Sequence, residues 1–136
     1  MYNEDMTNRS GDWLRQEQAD LEHAELSSRE RDYEWACFAA QQAAEKALKA
    51  LYLARRGDPW GHSLLALIQS LPDDVPVRPE LLDAARALDK VYIQTRYPNG
   101  FAMGAPADYF TERDAAECLS HARSLLEFCT NQIRRS

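Results

Sequence analysis

The sequence predicts an all-α protein, an antiparallel up-and-down four-helix bundle with one extra short helix. Three observations carry that expectation. Apolar residues recur at three- and four-residue intervals over four long stretches, and no stretch alternates as a half-buried strand does. Gly57, Gly61, Gly100 and Gly104, four of the five glycines, fall in two short regions, which marks those regions as loops. No repeat, low-complexity run or Gly/Ser linker divides the 136 residues, so 1–136 reads as a single domain, with 1–10 as a flexible N-terminal tail.

The first helix is expected from a cap near Ser10 or Asp12 to about Ser28. Its apolar residues Trp13, Leu14, Leu21, Ala24 and Leu26 are sparse among acids, as in a surface helix with one narrow buried stripe. The second helix runs from about Asp32 to Arg55. Its alanines and large apolar residues, Tyr33 to Tyr52, cover more than one face, so it is central, with Glu45 and Lys49 paired on what is left exposed. Gly57-Asp58-Pro59 stops it, with Gly57 suited to a left-handed cap. His62-Ser63 opens a short helix to about Leu71. Pro79 starts the next helix, which runs to about Thr95. Residues 96–110 form a long loop with two prolines and two glycines, a length that more often serves function than packing. Thr111 and Asp114 make a capping box for the last helix.

Composition narrows the function. The formal net charge is −6 and the pI about 5.0, which argues against a general non-specific duplex binder, since that needs an excess of Lys and Arg. Cys37, Cys118 and Cys129 are odd in number and form no CxxC pair, so they read as buried free thiols in a reducing cytoplasm. No apolar stretch approaches the ~18–20 residues that span a bilayer, and the first residues carry no signal-peptide core. A cytoplasmic protein without membrane contact is expected.

His23, His62 and His121 lie on different segments, and neither HExxH nor CxxC spacing occurs, so no metal is expected, and no cofactor. GxxxxGK[ST], GxGxxG and a nucleophile elbow are absent as well. Two places remain. In the first, Arg55 and Arg56 stand on one side of a turn and His62 on the other. A guanidinium there can hold phosphate while an imidazole moves a proton; the plainer alternative is helix-end charges and a capping histidine. In the second, Arg96 stands among Tyr92, Tyr97, Phe101, Tyr109 and Phe110. Aromatic faces beside a guanidinium suit RNA loops and nucleotides, but they also suit protein interfaces and plain anchoring of a loop.

Trp13 and Asp20-Leu21, the run from Tyr33 through Gln41-Gln42-Ala43-Ala44-Glu45-Lys46-Ala47-Leu48-Lys49-Ala50, Gly61-His62-Ser63-Leu64 and Thr95-Arg96-Tyr97-Pro98 together resemble the HEPN (higher eukaryotes and prokaryotes nucleotide-binding) domain family. The resemblance spans nearly the whole chain. It implies a helical bundle, commonly a homodimer, often paired with a small nucleotidyltransferase in a toxin–antitoxin-like system. Many members are metal-independent ribonucleases in which an arginine is followed four to six residues later by a histidine. Here Arg96 is followed at that distance by Gly100, Phe101 and Ala102. Arg56 and His62 have the spacing but lie between other helices.

The leading expectation is therefore a nucleotide- or RNA-binding protein, weakly catalytic or not at all, with binding residues Arg96, Tyr97, His62, Lys46 and Tyr109. Its rivals are an endoribonuclease using Arg96 and His62, and a pure protein-interaction module. His62, Arg96 and Tyr97 are expected to converge, with Lys46 facing the same cleft.

Overall fold

The computed structural model describes residues 9–95 and 103–135. Among them are five α-helices, one 3-10 turn at Pro106–Asp108, and no strand. Helix α1 spans Ser10–Arg29, α2 Tyr33–Ala54, α3 Leu64–Gln69, α4 Pro79–Gln94 and α5 Glu112–Arg134. Side-chain contacts fix the directions of the long helices. The short turn at 30–32 folds α2 back on α1, where Lys46 meets Asp20; Phe38 near the start of α2 meets Tyr92 near the end of α4, and Cys37 near the start of α2 meets Cys118 near the start of α5. The long helices thus run up, down, up and down.

Helix α2 is the centre because its alanines let neighbours approach closely. Ala36, Ala39, Ala40, Ala43, Ala44, Ala47 and Ala50 are all buried, with Leu48 and Leu51 filling the remaining volume. Against it pack Leu81, Ala85 and Leu88 of α4 and Leu119, Ala122, Leu125 and Cys129 of α5. The three cysteines are buried and free. The hydrogen bond that the Cys37 thiol makes to Cys118, together with burial, pushes Cys37 far up; burial pushes Cys129 up as well, and the nearby Glu17 adds to it. These thiols are unreactive core atoms. No described helix is long and apolar enough to cross a membrane.

The helix ends follow local chemistry, with three departures. Thr111 caps α5, accepting from the Asp114 backbone while the Asp114 carboxylate accepts from Thr111 N–H at 2.9 Å, and Pro79 occupies the first turn of α4. Helix α1, however, starts at Ser10 with Arg9 as its cap residue and no side-chain cap. Ser63, not His62, caps α3, its hydroxyl accepting from Ala66 N–H. The left-handed residue after α2 is Arg56 (φ 60°), not Gly57. Gly57 is there for closeness: its N–H bonds Tyr52 O at 2.7 Å, and a Cβ would come within 3.1 Å of the Tyr52 ring.

Two burial expectations are also corrected. Leu26 is exposed on α1, whereas Glu17 on the same helix is buried. The narrow stripe of α1 packs mainly on α2 and takes in a carboxylate, close to Cys129 of α5, that its polarity would have placed outside. Glu45 and Lys49 pair as expected at 2.9 Å, but in the interior, because neighbours surround α2 on nearly all sides.

Candidate functional site

The chain between α2 and α3 decides where His62 goes. Tyr52 O–H donates to Leu67 O at 2.6 Å, so α3 lies beside the lower end of α2. His62 instead reaches Glu45, ten residues before Arg55 and so about 15 Å higher along the helix axis. The loop after Ala54 therefore climbs back along α2, and α3 descends again. Eight residues suffice, since an extended chain spans up to about 3.3 Å per residue. Gly61, at φ 73°, makes the bend that presents His62.

His62 is held on two sides. Its Nδ1 lies 2.9 Å from Glu45 Oε2, and its ring stacks on Tyr92 with centroids 5.3 Å apart and planes 17° from parallel. The side chain is still 60% exposed. Tyr92 in turn packs on Phe38, and Phe38 on Trp35, giving a row of rings across α2 and α4. Glu45 is the hub. Its Oε1 accepts from Gln41 Nε2 at 3.2 Å, and its Oε2 accepts from Lys49 Nζ at 2.9 Å as well as meeting His62. Lys49 also sits 5.8 Å from the centre of the Trp13 ring. Three polar partners surround a carboxylate that is only 6% exposed, which meets the hydrogen-bonding needs of a polar group buried inside a helical bundle.

Asp89, one turn before Tyr92, anchors the same region from α4. Its carboxylate accepts from Leu64 N–H at 2.7 Å, Leu65 N–H at 3.1 Å and Ser63 Oγ at 3.0 Å. It satisfies amides that the first turn of α3 cannot. Asp89 is committed to α3, which locks the residue after His62 in place.

The other expected site residues are dispersed. Lys46 pairs with Asp20 of α1 at 2.5 Å and does not enter the His62 cleft. The reason is helical: adjacent residues are ~100° apart, so Lys46 faces α1 when Glu45 faces His62. Tyr109 is not brought to His62 either. Its hydroxyl donates to Met103 O, and it lines a cleft of about 280 Å³ with Lys90, Gln94, Phe110 and His121, on the side of α4 away from Tyr92. Arg96 and Tyr97 lie outside the described residues, whose first stretch ends at Thr95, one turn past Tyr92. Arg55 bonds the Asp74 carboxylate at 2.8 Å, a partner that neither reading of the turn named. Among the described residues no group of three or more His, Cys, Asp or Glu could hold a metal ion.

Glu45, Lys49 and Gln41 escaped the site reading. Their signal was present: positions 41, 45 and 49 form an i, i+4, i+8 polar row on a helix otherwise lined by alanine.

The described residues thus define an all-helical bundle with a surface histidine built onto a buried carboxylate. The particular family follows from comparison: the HEPN domain model matches residues 10–133, and the chain belongs to that family. A crystal structure of TT1696 from Thermus thermophilus is 50% identical, covers 92% of this chain and 98% of its own, and superposes with a TM-score of 0.90. The crystal structure of ST0689, an archaeal HEPN homologue, is 40% identical with the same coverages and a TM-score of 0.79. A protein of Methanocaldococcus jannaschii, named "Putative toxin MJ1304", is 24% identical over 138 residues, 85% of this chain and 82% of that protein.

Proposed function

We propose that this HEPN protein is toxin-like and binds a nucleotide or RNA through the face that carries His62. In this reading it is a cytoplasmic homodimer, paired with a small nucleotidyltransferase in a toxin–antitoxin-like system. The observation that carries the binding reading is the His62 ring, bonded at Nδ1 to a buried carboxylate, stacked on Tyr92, and largely exposed. An exposed ring fixed on two sides adds little to the core. It has lost its freedom before any ligand arrives, which lowers the cost of binding. The toxin-like setting rests on family membership and on the name of the archaeal relative.

Binding is tested by fluorescence anisotropy with a labelled mononucleotide and a short single-stranded RNA, in EDTA. Saturable binding that falls at least tenfold, about 1.4 kcal/mol, in both His62→Ala and Arg96→Ala supports the reading; unchanged binding in both variants ends it. Light scattering at tens of micromolar tests the dimer. One observation favours a second reading, metal-independent RNA cleavage: a histidine bonded through Nδ1 to a carboxylate has its other nitrogen placed to move a proton. Cleavage of RNA in EDTA that disappears in both variants would put that reading first.

A further inference from the structure

Glu45 and His62 fix more than a position. Imidazole has two nitrogens, and in its neutral form one carries the proton while the other offers a lone pair. Glu45 Oε2 already accepts from Lys49, and a carboxylate can only accept, so the 2.9 Å contact to His62 requires a proton on Nδ1. The lone pair is then on Nε2, which no described residue bonds, on a side chain that is 60% exposed.

We propose that Glu45 is a positioning residue that holds His62 as the Nδ1–H tautomer, so that Nε2 accepts a hydrogen bond from a ribose 2′-hydroxyl and the site prefers ribonucleotides to deoxyribonucleotides. The proposal rests on the nucleotide- or RNA-binding reading above. The charges around the ring support a hydroxyl rather than a phosphate at this atom. Among the described residues, the Glu45 carboxylate meets the His62 ring, the Asp89 carboxylate accepts from the adjoining Ser63 hydroxyl, and Lys49 is engaged by Glu45. A phosphate oxygen offers no proton to a lone pair. A 2′-hydroxyl does, and it is the group by which a protein distinguishes RNA from DNA. The stack on Tyr92 fixes the ring plane, so the acceptor points one way only.

The test has two readouts. The first is the nitrogen-15 spectrum of the His62 ring in wild type and Glu45→Asp, in the pH range where the same spectra show the ring neutral. Aspartate keeps the charge for Lys49 but is one methylene too short to reach Nδ1. Wild type should show a protonated Nδ1 and a bare Nε2, and E45D should shift toward the Nε2–H form. A protonated Nε2 in neutral wild type, or an unchanged ring in E45D, overturns the proposal; if E45D fails to fold, the wild-type spectrum decides alone. The second readout is the affinity for a short uracil-containing RNA and for the deoxyribonucleotide of the same base sequence. Wild type should prefer the RNA by about threefold to tenfold, the worth of one hydrogen bond, and E45D should lose that preference while still binding both. RNA binding with the same preference in E45D, or with none in wild type, overturns the proposal and leaves the binding reading standing. Binding of neither oligonucleotide by wild type ends both.

Discussion

Two buried glutamates meet opposite surroundings in this bundle. Glu45, on the central helix, collects Gln41, Lys49 and His62. Glu17, on α1, is 1% exposed and among the described residues receives only the Gln18 amide at 3.0 Å, with the Asp20 carboxylate nearby. Burial, with that like charge adding to it, pushes the Glu17 carboxyl up to about 7, from an ordinary value of 4.5. Its single amide donor acts the other way and is outweighed. The difference shows what a buried carboxylate needs. Where donors converge, the charge can hold other groups in place; where they do not, the group favours its neutral form and works against the fold at high pH.

Removing Glu45 should break the comparison most severely. Glu45→Ala leaves the Lys49 ammonium, 14% exposed, without its carboxylate, and frees His62 and Gln41. A loss of about 3 kcal/mol or more is expected, read from urea unfolding. Glu17 should respond in the opposite direction. Its raised value means that the folded state holds more protons than the unfolded state between pH 4.5 and about 7, so stability falls as pH rises through that window. Glu17→Gln should therefore gain up to about 3 kcal/mol at about pH 8 and little near pH 4.5. A flat difference between the two proteins across that range would show that Glu17 does not titrate in the fold.

Smaller effects sharpen the picture around His62. Asp89→Ala removes three hydrogen bonds at the start of α3 and should cost about 2 kcal/mol, while also loosening the ring that precedes it. Gly61→Ala meets open space but must hold φ 73°, so a cost of about 1 kcal/mol is expected. Weakened nucleotide binding beyond that loss would locate the effect at His62. The exposed pair Arg123–Glu25, at 2.8 Å, is the control: Arg123→Ala should change stability by less than about 1 kcal/mol at moderate salt. A larger effect would mean that a surface pair rivals the buried networks.

Local chemistry in the sequence determined the helices. The spacing of apolar residues, Pro79, the Thr111–Asp114 box and the glycine-rich stretches depend on neighbours within a few positions, so the chain carries them openly. The alanines of α2 likewise announced a central helix, because only small side chains let several helices approach one axis. The burial of Glu17, the exposure of Leu26 and the departure of Lys46 toward Asp20 were decided by tertiary structure. Each depends on which neighbour stands opposite a given face, and periodicity is silent about that. The site divides in the same way. His62 was visible as a histidine beside a tight turn, but its partner was not, because Glu45 and His62 are 17 residues apart in sequence and meet only when the loop climbs back along α2. A backbone path through a loop follows from what the loop packs against, and the packing exists only once the bundle has formed.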